Sequence, residues 1–145
     1  MTRHAHLLAA WQRITLYTTS ALLVVTGLVW LMVHYGVGAG VGELPHPAEA
    51  WLMRVHGLAA YAGLFVLGVV AAGHIPQGWR IAGRHRWAGQ RGSGITLCAI
   101  ATLLALTGYL LNYFAPEGIR PALGWAHALT GLTMGVMMAS HRRRD

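Results

Sequence analysis

The sequence predicts an all-α membrane protein, a four-transmembrane-helix up-and-down bundle with both termini on one side, N-in and C-in. Three observations carry this. Only 10% of the 145 residues are charged and 55% are hydrophobic, whereas a soluble domain carries about 25% charged residues. Four uncharged runs, 14–35, 55–73, 92–114 and 121–140, reach the ~20 residues that cross a bilayer as a helix. The basic residues stand at the ends of those runs.

Taken in order, the chain opens with a short basic head, 1–13, that carries His4 and His6. The first helix spans 14–35 and contains Thr26-Gly27. It is read as retained, because its apolar run exceeds the ~7–15 residues of a signal-peptide core. The loop 36–50 is Gly-rich and includes Pro45-His46-Pro47, which favours extended backbone. The second helix spans 51–74. Pro76 disfavours helix at Ile75, which puts His74 at the helix end. The loop 75–91 is the most basic segment. The third helix, 92–114, carries Thr107-Gly108. The fourth, 121–141, carries Thr130-Gly131. Three helices thus share a Thr-Gly pair, which reads as the enrichment of small residues where membrane helices pack closely. All of this is one domain, 1–145.

The net charge is +7, without a single Lys. Arg3, Arg13, Arg80, Arg84, Arg86, Arg91 and Arg142–Arg144 fall on the N-terminal side; Arg54 and Arg120 fall on the other. That asymmetry is the positive-inside pattern and gives the orientation. It also explains the basicity by topology and lipid contact, with no nucleic-acid partner. The lone Cys98 lies in an apolar run, so there is no disulfide framework.

The chemistry lies in the nine histidines. His4, His6 and His85 sit in basic segments, His46 in the far loop, and His34 at the far end of the first helix; each reads as a solvated or interfacial ring. His56 and His127 lie one to two turns inside the far ends of the second and fourth helices. His74 and His141 close the near ends of the same two helices. His127 and His141 are fourteen residues apart and His56 and His74 eighteen, so each pair shares a helix face, at rises of about 21 and 27 Å. The extra turn on the second helix requires a tilt, a kink, or an end that unwinds before Pro76. A polar ring at membrane depth needs a partner. Two at matching depth on parallel helices point to two imidazoles on one iron. No Cys or carboxylate accompanies them, which favours haem over zinc. The axial iron ligands are then His56 with His127 and His74 with His141. His6 is a rival to His74, and a single haem held by His56 and His127 alone remains an alternative. Gly131 and Gly135 follow His127 at four and eight residues and leave a bare ridge for a flat ligand or for helix packing.

On these residues the chain resembles bacterial four-helix di-haem cytochromes b. The kinds it looks like are the cytochrome b membrane subunits of formate dehydrogenase and nickel–iron hydrogenase, and the small b-type cytochromes that oxidise superoxide. The shared features are four helices, Val55-His56-Gly57 near the far start of the second, and the His127/His141 spacing on the fourth. A further similarity, from Leu52 to Arg142 through His74-Ile75-Pro76-Gln77-Gly78-Trp79-Arg80 and Leu106-Thr107-Gly108-Tyr109-Leu110-Leu111, is to short cytochrome-b-like membrane proteins. One departure stands out. The hydrogenase-type subunits take an inner-haem ligand from the start of the first helix, where this chain reads Trp11-Gln12-Arg13-Ile14.

The resemblance implies haem b, a multi-pass protein of the bacterial cytoplasmic (inner) membrane, and electron transfer between a redox partner subunit, periplasmic or membrane-bound, and the quinone pool. A quinone site is implied by the resemblance alone. Two other functions fit the same residues. One is a stand-alone superoxide:quinone oxidoreductase, which needs a cationic funnel from Arg54 and Arg120. The other is a haem-free anchor or assembly subunit whose histidines only hydrogen-bond across helices.

Overall fold

A computed structural model describes residues 8–81 and 88–142, with side chains for 8–76 and 92–140. Among the described residues there are four long helices and no strand: α1 (Ala10–Val37), α2 (Pro47–Ile81), α3 (Ala88–Tyr113) and α4 (Arg120–Arg142). All four are long and apolar enough to cross a membrane, and the chain is a multi-pass α-helical membrane protein. It divides into two compact units, Met1–His74 and Ile75–Asp145.

The first unit is built around α1 and the part of α2 up to His74. At the start of α1, Ala9 has no side-chain acceptor, so capping is one-sided: its backbone N–H donates to Gln12 Oε1 at 2.9 Å. α1 stops at Val37. A single 3₁₀ turn (Ala39–Val41) follows, closed by Gly42 at φ +86, a left-handed conformation that favours glycine.

α2 begins four residues before the expected start at 51, and the reason is a cap. Pro47 occupies the first helical position, where its missing N–H is no loss. His46 Nδ1 accepts from the Ala48 N–H at 3.2 Å, and Glu49 Oε1 accepts from the His46 N–H at 3.0 Å. This is a reciprocal capping box with histidine in the cap position. The same Glu49 carboxylate reaches back across the hairpin. Oε1 also takes the Ala39 N–H, and Oε2 pairs with His34 Nδ1 at 2.8 Å. Trp30 stacks on the His34 ring at 4.3 Å. Glu49, 8% exposed, therefore joins the end of α1, the 3₁₀ turn and the start of α2. His34, expected as an interfacial ring, and His46, exposed as expected, are both parts of this clamp.

α2 also ends later than expected. It stays helical through Pro76 to Ile81, so the helix does not unwind before Pro76 and His74 is an internal, exposed residue of α2. Pro76 removes the N–H that would reach the Ala72 carbonyl. Proline is tolerated inside membrane helices because the surrounding structure satisfies the freed group.

The second unit is the hairpin of α3 and α4. Its loop is closed by Arg120, whose Nη1 donates to the Leu111 carbonyl at 3.1 Å and Nη2 to the Ala115 carbonyl at 2.9 Å. Leu111 lies in the last turn of α3, whose carbonyls lack helical partners, and Ala115 lies in the loop just beyond it. In both units, hydroxyls inside the helices donate to the carbonyl four residues back, for example Thr19 to Thr15 and Thr130 to Ala126. Large apolar residues such as Met32, Leu58, Phe65 and Val136 are exposed, the surface a helix presents to lipid.

Two glycines test the clamp. A Cβ on Gly38 would run into the Glu49 carboxylate and sit 3.0 Å from the Val33 carbonyl, whereas one on Gly36 meets nothing within 4 Å. Gly38→Ala is expected to destabilise the protein by about 1–3 kcal/mol through Glu49. Gly36→Ala is expected to be neutral or slightly stabilising. Paired thermal melts in detergent check the contrast; equal melting temperatures contradict it.

Candidate functional site: two threonine-held imidazoles

Each unit holds one histidine of the expected outer pair, and both are held the same way. In the first unit, His56 of α2 faces α1, with its Nδ1 2.9 Å from Thr26 Oγ1. In the second, His127 of α4 faces α3, with its Nδ1 2.7 Å from Thr107 Oγ1. Both threonines are buried, 5% and 7% exposed, so their hydroxyls depend on protein partners.

The proton positions follow from the neighbours. Thr26 Oγ1 lies 2.7 Å from the Leu22 carbonyl oxygen, and Thr107 Oγ1 lies 2.8 Å from that of Leu103. A carbonyl oxygen only accepts, so the single hydroxyl proton points along the helix. The threonine oxygen is then the acceptor toward the ring, and the histidine donates from Nδ1–H. In that tautomer the ring lone pair sits on Nε2. A partner fixing one ring nitrogen so that the other can ligate is the arrangement found around metal-bound histidines.

The residue after each threonine completes the seat. A Cβ built on Gly27 would lie 3.5 Å from His56 Cε1, and one on Gly108 3.4 Å from His127 Cε1. The imidazole edge lies beside the glycine, so the hydroxyl takes Nδ1 and the next residue leaves space that a side chain longer than alanine would fill. The third pair, Thr130-Gly131, does something else. Thr130 bonds its own helix, and a Cβ built on Gly131 would lie 3.8 Å from Leu104 of α3, which is helix packing.

The two units match further. Glu49 is seven residues before His56 and Arg120 seven before His127, a rise of about 10.5 Å. Each hairpin thus runs from a charged clamp at its loop, through two helical turns, to a threonine-held histidine. The sequence carries the same repeat, which a reading of Thr-Gly as general packing misses: Leu22-Leu23-Val24-Val25-Thr26-Gly27 against Leu103-Leu104-Ala105-Leu106-Thr107-Gly108, and His56-Gly57-Leu58 against His127-Ala128-Leu129.

The remaining candidates are placed as follows. His74 is exposed on α2, eighteen residues beyond His56 on a continuous helix. His141 lies in the last turn of α4, with its side chain outside the described residues. His6, like His4 and His85, is outside the described residues.

Among the described residues no three or more His, Cys, Asp or Glu side chains gather. Cys98 is exposed on α3, and the carboxylate of Glu49 is engaged at the clamp. His56 and His127 each present a threonine-held imidazole, one in each unit. Compared with known proteins, the chain matches no family model, no curated protein and no solved structure.

The seat has a steric signature. Alanine at Gly27 or Gly108 makes ordinary contact with the ring and is expected to leave the melting temperature nearly unchanged. Leucine at either position must displace the imidazole and is expected to destabilise by about 1–3 kcal/mol. A Gly108→Leu protein as stable as wild type would show that the ring does not lie there.

Proposed function

We propose that the chain is a haem b protein of a bacterial cytoplasmic membrane, with both termini inside. It serves as an electron-transfer subunit between a periplasmic redox partner and the quinone pool. His56 and His127 are the axial ligands near the outer surface. His141 is an inner ligand, with His74 or His6 opposite.

The observation that carries this reading is the duplicated seat. One buried threonine in each hairpin binds Nδ1 of a membrane-depth histidine, and the tautomer leaves the lone pair on Nε2. A histidine that only links two helices needs one such bond; the same tautomer, orientation and clamp spacing in two hairpins is what a bis-imidazole site requires. Bound there, haem supplies one-electron chemistry with both axial positions filled, which suits electron transfer rather than oxygen binding. The arginine asymmetry supports the orientation.

The inner ligand set rests on spacing. Because α2 is helical through Pro76, the ~27 Å rise from His56 to His74 stands against ~21 Å from His127 to His141, and helix tilt must absorb the difference. His6 on the N-terminal segment is the rival that avoids this mismatch.

The test is haem content by pyridine haemochrome. His127→Ala and His141→Ala are each expected to halve it. His74→Ala against His6→Ala identifies the remaining inner ligand. Full retention in His127→Ala overturns the assignment, and co-purification of a redox subunit distinguishes an electron-transfer subunit from a stand-alone enzyme.

A further inference from the structure

We infer that Thr26 and Thr107 are positioning residues that set the tautomer and electron-donating strength of His56 and His127 toward iron; this rests on the ligand assignment above. Each threonine is the middle of a three-part chain. The Leu22 carbonyl accepts from the Thr26 hydroxyl, and the Thr26 oxygen accepts from His56 Nδ1–H; Leu103, Thr107 and His127 repeat it. The chain has a direction. The backbone carbonyl fixes the hydroxyl proton, which makes the oxygen an obligate acceptor and so fixes the ring proton on Nδ1.

Two consequences follow for a ligand histidine. The ring cannot place its proton on Nε2, the ligating atom, without leaving a buried threonine oxygen facing an unprotonated Nδ1. Donation from Nδ1–H also raises the basicity of Nε2, which favours the more positively charged ferric state. Gly27 and Gly108 hold the ring edge in place beside the hydroxyl, so position and proton are set by adjacent residues of one helix.

Valine keeps the branched shape of threonine but removes the acceptor, and serine keeps the acceptor. In the full-length haem-free chain in detergent, ¹⁵N shifts of the histidine rings are expected to show Nδ1–H at His56 and His127. Thr26→Val and Thr107→Val are expected to lose that tautomer at His56 and at His127 respectively, while Thr26→Ser and Thr107→Ser keep it. In the haem-loaded chain each valine variant is expected to bind haem about tenfold more weakly, with a midpoint potential above wild type that serine restores.

Wild-type affinity, potential and tautomer in both valine variants would overturn the inference while leaving the ligand assignment intact, provided His56→Ala and His127→Ala lose haem. A wild-type chain that takes up no haem overturns the ligand assignment, and the inference with it. Nε2–H rings in the wild-type haem-free chain overturn the inference alone.

Discussion

An imidazole inside an apolar helical hairpin has two nitrogens to satisfy and no water to do it. That constraint organises both halves of this protein. Each ring is answered by a threonine hydroxyl that is itself anchored to its own helix, at 2.7 and 2.8 Å from a backbone carbonyl. An unmet buried donor or acceptor costs about 1–3 kcal/mol, so the facing helices are held in the register that brings Thr26 to His56 and Thr107 to His127. The ring edge lies beside the neighbouring glycine, where a methyl group would make ordinary contact and a longer side chain would not fit.

The hairpin loops face the same accounting of backbone groups and meet it with opposite charges. Glu49 accepts N–H groups at the start of α2 and in the 3₁₀ turn. Arg120 donates to the Leu111 carbonyl in the last turn of α3 and to the Ala115 carbonyl in the loop. Each lies seven residues before its histidine. The clamp therefore fixes where the helix begins, and two turns later the helix delivers the ring.

The helices were legible because lipid demands long uncharged runs, and the sequence has four of them. Their ends were less so. Bounding a helix by its apolar run overlooked Pro47, a start signal, and treated Pro76 as a stop where α2 continues. His56 and His127 stood out by depth. Their partners did not, because Thr-Gly occurs three times and one occurrence, Thr130-Gly131, is ordinary packing. What separates the other two is a Leu-Leu one turn upstream, in the pattern Leu-Leu-x-x-Thr-Gly, joined to a His-small-Leu on the next helix. His46 is exposed, as its loop position implies, but the tie from His34 to Glu49 is not legible, because the two are fifteen residues apart and Glu49 looks like any loop carboxylate.

The account depends on His56 and His127 offering Nε2 to iron. The direct measurement is the haem-to-protein ratio of the wild-type chain, purified after expression with ample haem supply, together with its reduced-minus-oxidised spectrum. The account predicts a b-type α-band and two haems per chain, or one if only the outer site forms. A colourless protein that stays colourless on adding haem would contradict it.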